Sequence, residues 1–310
     1  MALGGVNATH GVAGAAEHAL PFKSVDDCAR IGRRLRTLAR GWRRGARPID
    51  LVAVGGGLEG VEALGEILRR FRTRGCFRLH LVEARPRLLP EAPARLDRLV
   101  RERAAPWNVE ILTGEAVRAV RAGSVALASG RRLPSQATIW TGGPAAPALL
   151  AEAGLSPAAG AWVPVAPTLE SVRYPGVFLA GDAVRLPTPL AKQGYHALDM
   201  GRCAADNVVR RLEGRRLRRY RPSEKPTLVS FGDLDTFLLA GRVVAASPAL
   251  AVAKEAVYEL TMAQLDREGP ARRVRGAQAR LEQAVREVAW PALSSLAAVR
   301  RQLRLQVSVG

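Results

Sequence analysis

The spacing of apolar residues changes along this chain, and each change marks an element. Residues 49–54 form a near-continuous apolar run, the pattern of a parallel strand buried on both faces. The run enters Gly55, Gly56 and Gly57, after which residues 61–71 repeat at helical spacing. A second apolar strand, residues 77–82, ends in Glu83. Upstream, residues 26–42 read as a basic helix that leads through Gly45 and Pro48 to the first strand. Downstream come a proline-rich turn and a helix around 94–103. Short alternating runs at 109–112, 116–120, 125–128 and 137–140 then predict a small antiparallel addition. Residues 176–183 read as a short strand ending in Gly-Asp, and 221–226 read as a linker. Near the end, Leu281, Val285, Val288, Leu293, Leu296 and Leu303 fall close to helical spacing among arginines, with Pro291 splitting the stripe. No apolar run reaches the roughly 18 residues of a spanning helix.

The glycine turn carries the first candidate chemistry. Gly55, Gly57 and Gly60 fit GxGxxG, in which the first glycine permits a tight turn, the second lets backbone amides approach a pyrophosphate, and the third lets helix and strand pack closely. A phosphate there meets the positive end of a helix. Glu83 follows at close to the spacing of about 20 residues at which a carboxylate reaches an adenosine ribose hydroxyl. The alternative is a turn that serves packing alone. Glu83 favours NADH, because a carboxylate accepts from a free hydroxyl and repels a 2'-phosphate. Arg85 and Arg87 oppose that inference as partners for such a phosphate, unless they are solvated surface residues.

Five stretches in order resemble the FAD-dependent pyridine nucleotide oxidoreductases, and most of all their type II NADH dehydrogenase branch. They are residues 17–24, 55–66, 82–90, 139–142 (Ile-Trp-Thr-Gly142) and 176–183, collinear over about two thirds of the chain to roughly Arg219. The resemblance implies an α/β fold, the three-layer Rossmann-type fold of flavoproteins with two dinucleotide-binding domains. It also implies N-terminal incompleteness, because the family's own first GxGxxG has no counterpart before Gly55. On that plan 1–24 is a remnant of the FAD domain, 25–142 the NAD(H)-binding domain, 143–220 the later part of the FAD domain, and 221–310 an interface or membrane-facing region.

The site residues that the resemblance implies are Gly55, Gly56, Gly57, Gly60, Glu83 and Gly142 for NAD(H), and Gly181, Asp182 and Ala183 for FAD. Asp182 would bond the flavin's ribityl and phosphate region; its alternative is a helix cap. Glu62, two residues after Gly60, would approach nicotinamide and flavin as the catalytic residue; its alternative is complementing the helix dipole. The implied reaction is hydride transfer from NADH to FAD and on to a quinone or other acceptor. A non-catalytic NADH-binding remnant is the alternative function. The family's AQxxxQ quinone motif is not reproduced in 192–201, where Tyr195 and Asp199 stand nearest, which leaves a soluble acceptor open. The C-terminal region would supply a homodimer contact and a membrane-lying helix, or else pack on the protein itself.

Composition adds limits. A chain of 310 residues holds about two domains, and 48% hydrophobic with 24% charged residues is ordinary for a globular protein. The net charge of +19 is not ordinary: of 47 basic residues only Lys23, Lys192, Lys225 and Lys254 are lysines. Arginine dominance of this kind fits the codon bias of a GC-rich genome. Aromatics at 5% and arginines in every segment argue against a nucleic-acid partner. Cys28, Cys76 and Cys203 form no CxxC pair, and neither they nor the four dispersed histidines suggest a metal site. Residues 1–20 lack a signal-like apolar core, so the expectation is a cytoplasmic protein, peripheral on the inner face of the cell membrane.

Overall fold

The computed structural model describes residues 1–223, 225–263 and 306–309. The apolar stripe expected over 281–303 lies outside the described residues. Two compact units emerge, one made of Met1–Ala8 with Gly143–Lys225, the other of Thr9–Gly142 with the chain from Pro226 onward.

The second unit contains β1 (Ala19–Pro21), α1 (Val25–Gly41), β2 (Ile49–Val54), α2 (Leu58–Phe71), β3 (Phe77–Glu83), α3 (Ala94–Ala104), β4 (Val109–Thr113), β5 (Val117–Arg121), β6 (Ser124–Leu127), β7 (Arg132–Pro134) and β8 (Ala137–Trp140). Five of these strands form one parallel sheet in the order β1-β8-β2-β3-β4. Side chains alternate across it, so each strand feeds two cores. Leu51, Ala53, Leu79, Leu81 and Ile139 face the helices, meeting Leu35 of α1, Leu64 of α2 and Leu96 of α3. Val52, Val54, Val82 and Trp140 face the other way, onto Val120, Val125 and Leu133 of a three-stranded antiparallel sheet, β5-β6-β7. Three layers result: helices, parallel sheet, antiparallel sheet.

Two of the four runs read as an antiparallel addition are instead parallel strands. β4 pairs with β3 and β8 lies between β1 and β2. All four residues of β8 are buried, as a central strand covered on both faces requires. Residues 1–24 also divide: Met1–Ala8 cluster with the first unit, while β1 is the edge of the parallel sheet.

Polar residues at one end of this sheet are tied into a network. Asp50 accepts from Arg78 and lies 3.2 Å from His80 Nε2, while His80 Nδ1 lies 2.9 Å from Glu110, which pairs with Arg131 at 2.8 Å. Burial pushes the Asp50 carboxyl up, but hydrogen bonds from Arg78 and His80 and their charge outweigh it and hold it below the usual range. The Arg131 hydrogen bond does the same for Glu110 against its burial.

The chain from Pro226 adds β9 (Thr227–Phe231), β10 (Asp235–Ala240), β11 (Val243–Ala246), α4 (Leu250–Ala263) and β12 (Gln306–Val309), the strands forming an antiparallel sheet in that order. Phe231, Phe237 and Val244 join the same core as α2. Contact is close: a methyl group at Gly65 of α2 would stand 2.5 Å from the Gly232 backbone nitrogen. Arg72 holds Asp233 through two bonds of 2.5 and 2.7 Å, and Arg103 holds the buried Asp235 at 2.9 Å. Residues read as a separate interface region thus begin as a layer of the second unit.

The first unit has its own core, including Val163, Leu169, Phe178, Val184 and Met200. Its long helix, Gly194–Leu212, buries His196, Met200, Ala204 and Asn207 along one face. Asn207 anchors the segment that follows the helix, donating to the carbonyls of Thr168 and Arg218 at 2.8 Å and accepting from the Arg218 amide at 2.7 Å.

Candidate dinucleotide site

The glycine turn leaves β2 and enters α2 through backbone that larger residues resist. Gly55 has φ +106°, and its amide donates to the Val82 carbonyl at 2.8 Å. Thr141, just past β8, closes the turn from the other side: its hydroxyl donates to the carbonyls of Val54 at 2.8 Å and Gly55 at 3.0 Å. A methyl group at Gly60 would stand 1.8 Å from the Gly55 carbonyl oxygen and 2.8 Å from the Thr141 hydroxyl. At Gly57 it would meet nothing within 4 Å. Gly57 is the N-cap of α2 and brings no side-chain cap, so the open side of the turn faces the first helical amides.

Glu83 lies directly behind this turn. One carboxylate oxygen accepts from the Gly56 amide at 2.6 Å and the other from the Arg85 amide at 2.7 Å. The two arginines that complicated its reading have other partners. Arg87 donates to the carbonyls of Leu89, Pro90 and Ala92, so it builds the loop after β3. Arg85 pairs with Glu91 at 2.5 Å in an exposed position. That loop is fastened to the turn by the Leu89 amide, which donates to the Gly56 carbonyl at 2.8 Å. Gly142 follows Thr141, and its carbonyl lies 2.6 Å from His10 Nε2.

Glu62 is tied to the C-terminal part of its own unit. Its Oε1 accepts from the Ser230 amide at 3.0 Å and pairs with the Lys254 ammonium of α4. Two groups far along the chain thus hold the residue that sequence assigned to the reacting cleft. Neither was singled out for this from sequence, because contacts across 168 and 192 residues leave no spacing signal.

Gly181, Asp182 and Ala183 form a short 3-10 turn in the first unit, Gly181 at φ +81°. Asp182 borders a cavity of about 270 Å³ shared with Trp162, Arg185, Lys192 and Met200. Lys192 lies 4.4 Å from the Trp162 ring centre and donates to the Val184 carbonyl at 2.5 Å. Burial lowers the affinity of its amine for a proton, opposed by the charge of Asp182. Nearby Asp199 pairs with Lys225 at 2.5 Å, and His196 Nδ1 lies 3.3 Å from the Tyr220 hydroxyl. Burial and Lys225 lower the His196 pKa, with Asp199 opposing them.

The predicted residues therefore form two groups: Gly55, Gly56, Gly57, Gly60, Glu83 and Gly142 around one turn, and Gly181, Asp182 and Ala183 in the other unit. The Thr141 hydroxyl braces the turn, a role that the glycine spacing does not mark. Among the described residues no group of three or more histidines, cysteines or acids could hold a metal ion, and no helix is long and apolar enough to cross a membrane.

Comparison with known proteins supplies the lineage. Residues 1–201 match the model of the pyridine nucleotide-disulphide oxidoreductase family. A type II NADH:quinone oxidoreductase of Mycobacterium tuberculosis is 30% identical over 224 residues, 64% of this chain and 48% of that protein. The chain therefore spans about half the length of this curated relative. NDH2 from Plasmodium falciparum, solved in complex with NADH, has a TM-score of 0.72 at 14% identity, covering 93% of this chain and 77% of that one. The ferredoxin reductase for the CYP199A2 system of Rhodopseudomonas palustris follows at 0.62 and 18%, covering 79% and 62%. At these identities the structural likeness is one of fold, and it is the expected α/β flavoprotein fold. Since the family match runs through both the glycine turn and the Gly-Asp turn, the chain belongs to the pyridine nucleotide-disulphide oxidoreductase family.

Proposed function

We propose that the chain serves an FAD-dependent NADH oxidoreductase of the type II NADH dehydrogenase kind, which passes hydride from NADH to FAD and electrons on to a quinone. The observation that carries this reading is the turn from Gly55 to Gly60 with Glu83 behind it. Open space over Gly57, beside uncapped amides at the start of a helix, suits a pyrophosphate. Glu83 suits the ribose hydroxyls, and the engagement of Arg87 and, at the surface, Arg85 with other partners weighs against a 2'-phosphate.

Each further residue has a role consistent with its surroundings. Asp182, on its turn beside the cavity, would hold the ribityl and phosphate region of FAD, with Lys192 and Arg185 as nearby cations. Bound flavin supplies the two-electron acceptor, and the protein supplies alignment. Glu62 is the proposed catalytic carboxylate. With Oε1 held by Ser230 and Lys254, Oε2 remains to accept a hydrogen bond or a proton. The quinone acceptor rests on the relative's name, and contact with a membrane surface follows from it, since long-chain quinones dissolve in bilayers. A second reading, NADH binding without turnover, is favoured by the presence of one GxGxxG in the sequence.

The test is NADH oxidation with FAD in excess and a soluble quinone as acceptor, beside fluorescence titrations with NADH and NADPH. Expected are FAD-dependent turnover and tighter binding of NADH, with Glu83→Ala narrowing the gap between the two nucleotides. NADH binding without turnover would select the second reading. Equal affinities in the unmutated chain would overturn the assignment of Glu83.

A further inference from the structure

The first unit contains a partly buried cation with no counter-ion. Of the four lysines in the chain, Lys23 pairs with Glu59 at 3.3 Å, Lys225 with Asp199 at 2.5 Å, and Lys254 with Glu62. Lys192 forms no ion pair among the described residues. What holds its ammonium is neutral: it donates to the Val184 carbonyl at 2.5 Å and lies 4.4 Å from the centre of the Trp162 ring. An ammonium has three N–H donors, so one carbonyl and one ring face leave it short of partners. Burial disfavours its charge, and the charge of Asp182 offsets only part of that effect. A cation withdrawn from water costs stability unless something supplies the opposite charge.

We propose that the cavity beside Lys192 binds an organic monoanion, a carboxylate or sulfonate on a body of one or two rings, with its charge on the Lys192 ammonium. The cavity, of about 270 Å³, is bordered by Trp162, Leu190 and Met200, with Asp182 and Arg185 as its other charged residues and the rest of its wall apolar. That volume lies just below the range of about 300–1,000 Å³ usual for small-molecule pockets, which sets the size of the body. Apolar walls select rings over a hydrated ion. The sign of the ligand follows from the cations: Arg185 is exposed at the wall and likewise forms no ion pair among the described residues. One partly buried ammonium balances one negative charge, which favours a monoanion over a phosphate dianion. Asp182 suits hydroxyl groups, so the flavin contact proposed for it leaves the Lys192 ammonium to another partner. The site goes beyond the NADH and FAD reading and does not depend on it.

The test is calorimetric titration of the full chain with 2-naphthoate and with its uncharged isostere 2-naphthamide, repeated in the presence of FAD or inorganic phosphate. The parent chain is expected to prefer naphthoate by about tenfold or more, the contribution of one charge-assisted hydrogen bond. In Lys192→Met that preference is expected to vanish. Binding of naphthamide, expected to persist in the variant with an unchanged melting temperature, reports that the cavity is intact. A parent chain that binds neither probe, or both equally, overturns the site, and a variant that keeps the preference overturns Lys192 as its anchor. Displacement of naphthoate by phosphate at matched concentration overturns the ring-bearing class, since the cations then take any anion. Displacement by FAD overturns the separate ligand and gives the cavity to the flavin. None of these readouts requires NADH oxidation, so failure here and failure of the oxidoreductase reading are distinguishable.

Discussion

Gly57 and Gly60 do different work in the turn after β2, and the difference can be measured. At Gly57 the backbone has φ −74°, ordinary for any residue, and an added methyl group meets no protein atom within 4 Å. Gly57→Ala is therefore expected to melt at the parent temperature yet to bind NADH at least tenfold more weakly, about the loss of one charge-assisted hydrogen bond. At Gly60 the methyl group meets the Gly55 carbonyl at 1.8 Å, and backbone on both sides must move. Gly60→Ala is expected to lose about 1–3 kcal/mol of stability by overpacking, seen as a lowered melting temperature, together with its NADH affinity. Full NADH affinity in Gly57→Ala would show that the pyrophosphate does not lie over this turn. The glycines and Glu83 were legible because a short fingerprint specifies them. Lys254 and Ser230 were not, since what joins them to Glu62 is the packing of the C-terminal sheet on α2.

At the scale of elements, hydrophobic period identified strands and helices better than it identified their partners. Helices expected over 26–42 and 94–103 stand at Val25–Gly41 and Ala94–Ala104. The runs at 109–112 and 137–140 were recognised as strands, yet their parallel pairing was hidden, because a strand's neighbours are set by residues far away in sequence. The same long-range pairing assembles Asp50, Arg78, His80 and Glu110 from three strands, and it carries a pH dependence. The Asp50 and Glu110 carboxyls are held below their ordinary values. Their contribution is thus present in full above about pH 5, and is lost as pH falls through the folded-state values, below about pH 4. Urea midpoints measured down this range are expected to fall, and to fall less steeply in Asp50→Asn, which starts from a lower midpoint at neutral pH. An acid dependence identical in the variant would remove this network as its source.

Over the whole molecule the two proposed cofactor sites belong to separate units, each with its own core: the glycine turn in one, the Asp182 turn in the other. This permits the two affinities to be asked about independently. The turn proposed for NADH has its backbone, its Thr141 brace and the Glu83 carboxylate in place. For FAD, this chain offers Asp182 and the cavity beside it, whereas its single GxGxxG is already assigned to NADH. An FAD adenylate half without its own glycine turn forgoes about two or three charge-assisted hydrogen bonds, each worth roughly 1.5–3 kcal/mol. At tenfold per 1.4 kcal/mol the affinity falls on the order of a thousandfold or more. The chain is therefore expected to purify largely colourless and to lose added FAD on desalting, while its NADH affinity is the same with and without flavin. Visible absorbance after desalting, beside NADH titrations in both states, reads both halves of that expectation. A yellow chain carrying stoichiometric FAD would show that another segment cradles the adenine end, and the residues around Lys192 and Arg185 would be the first to substitute.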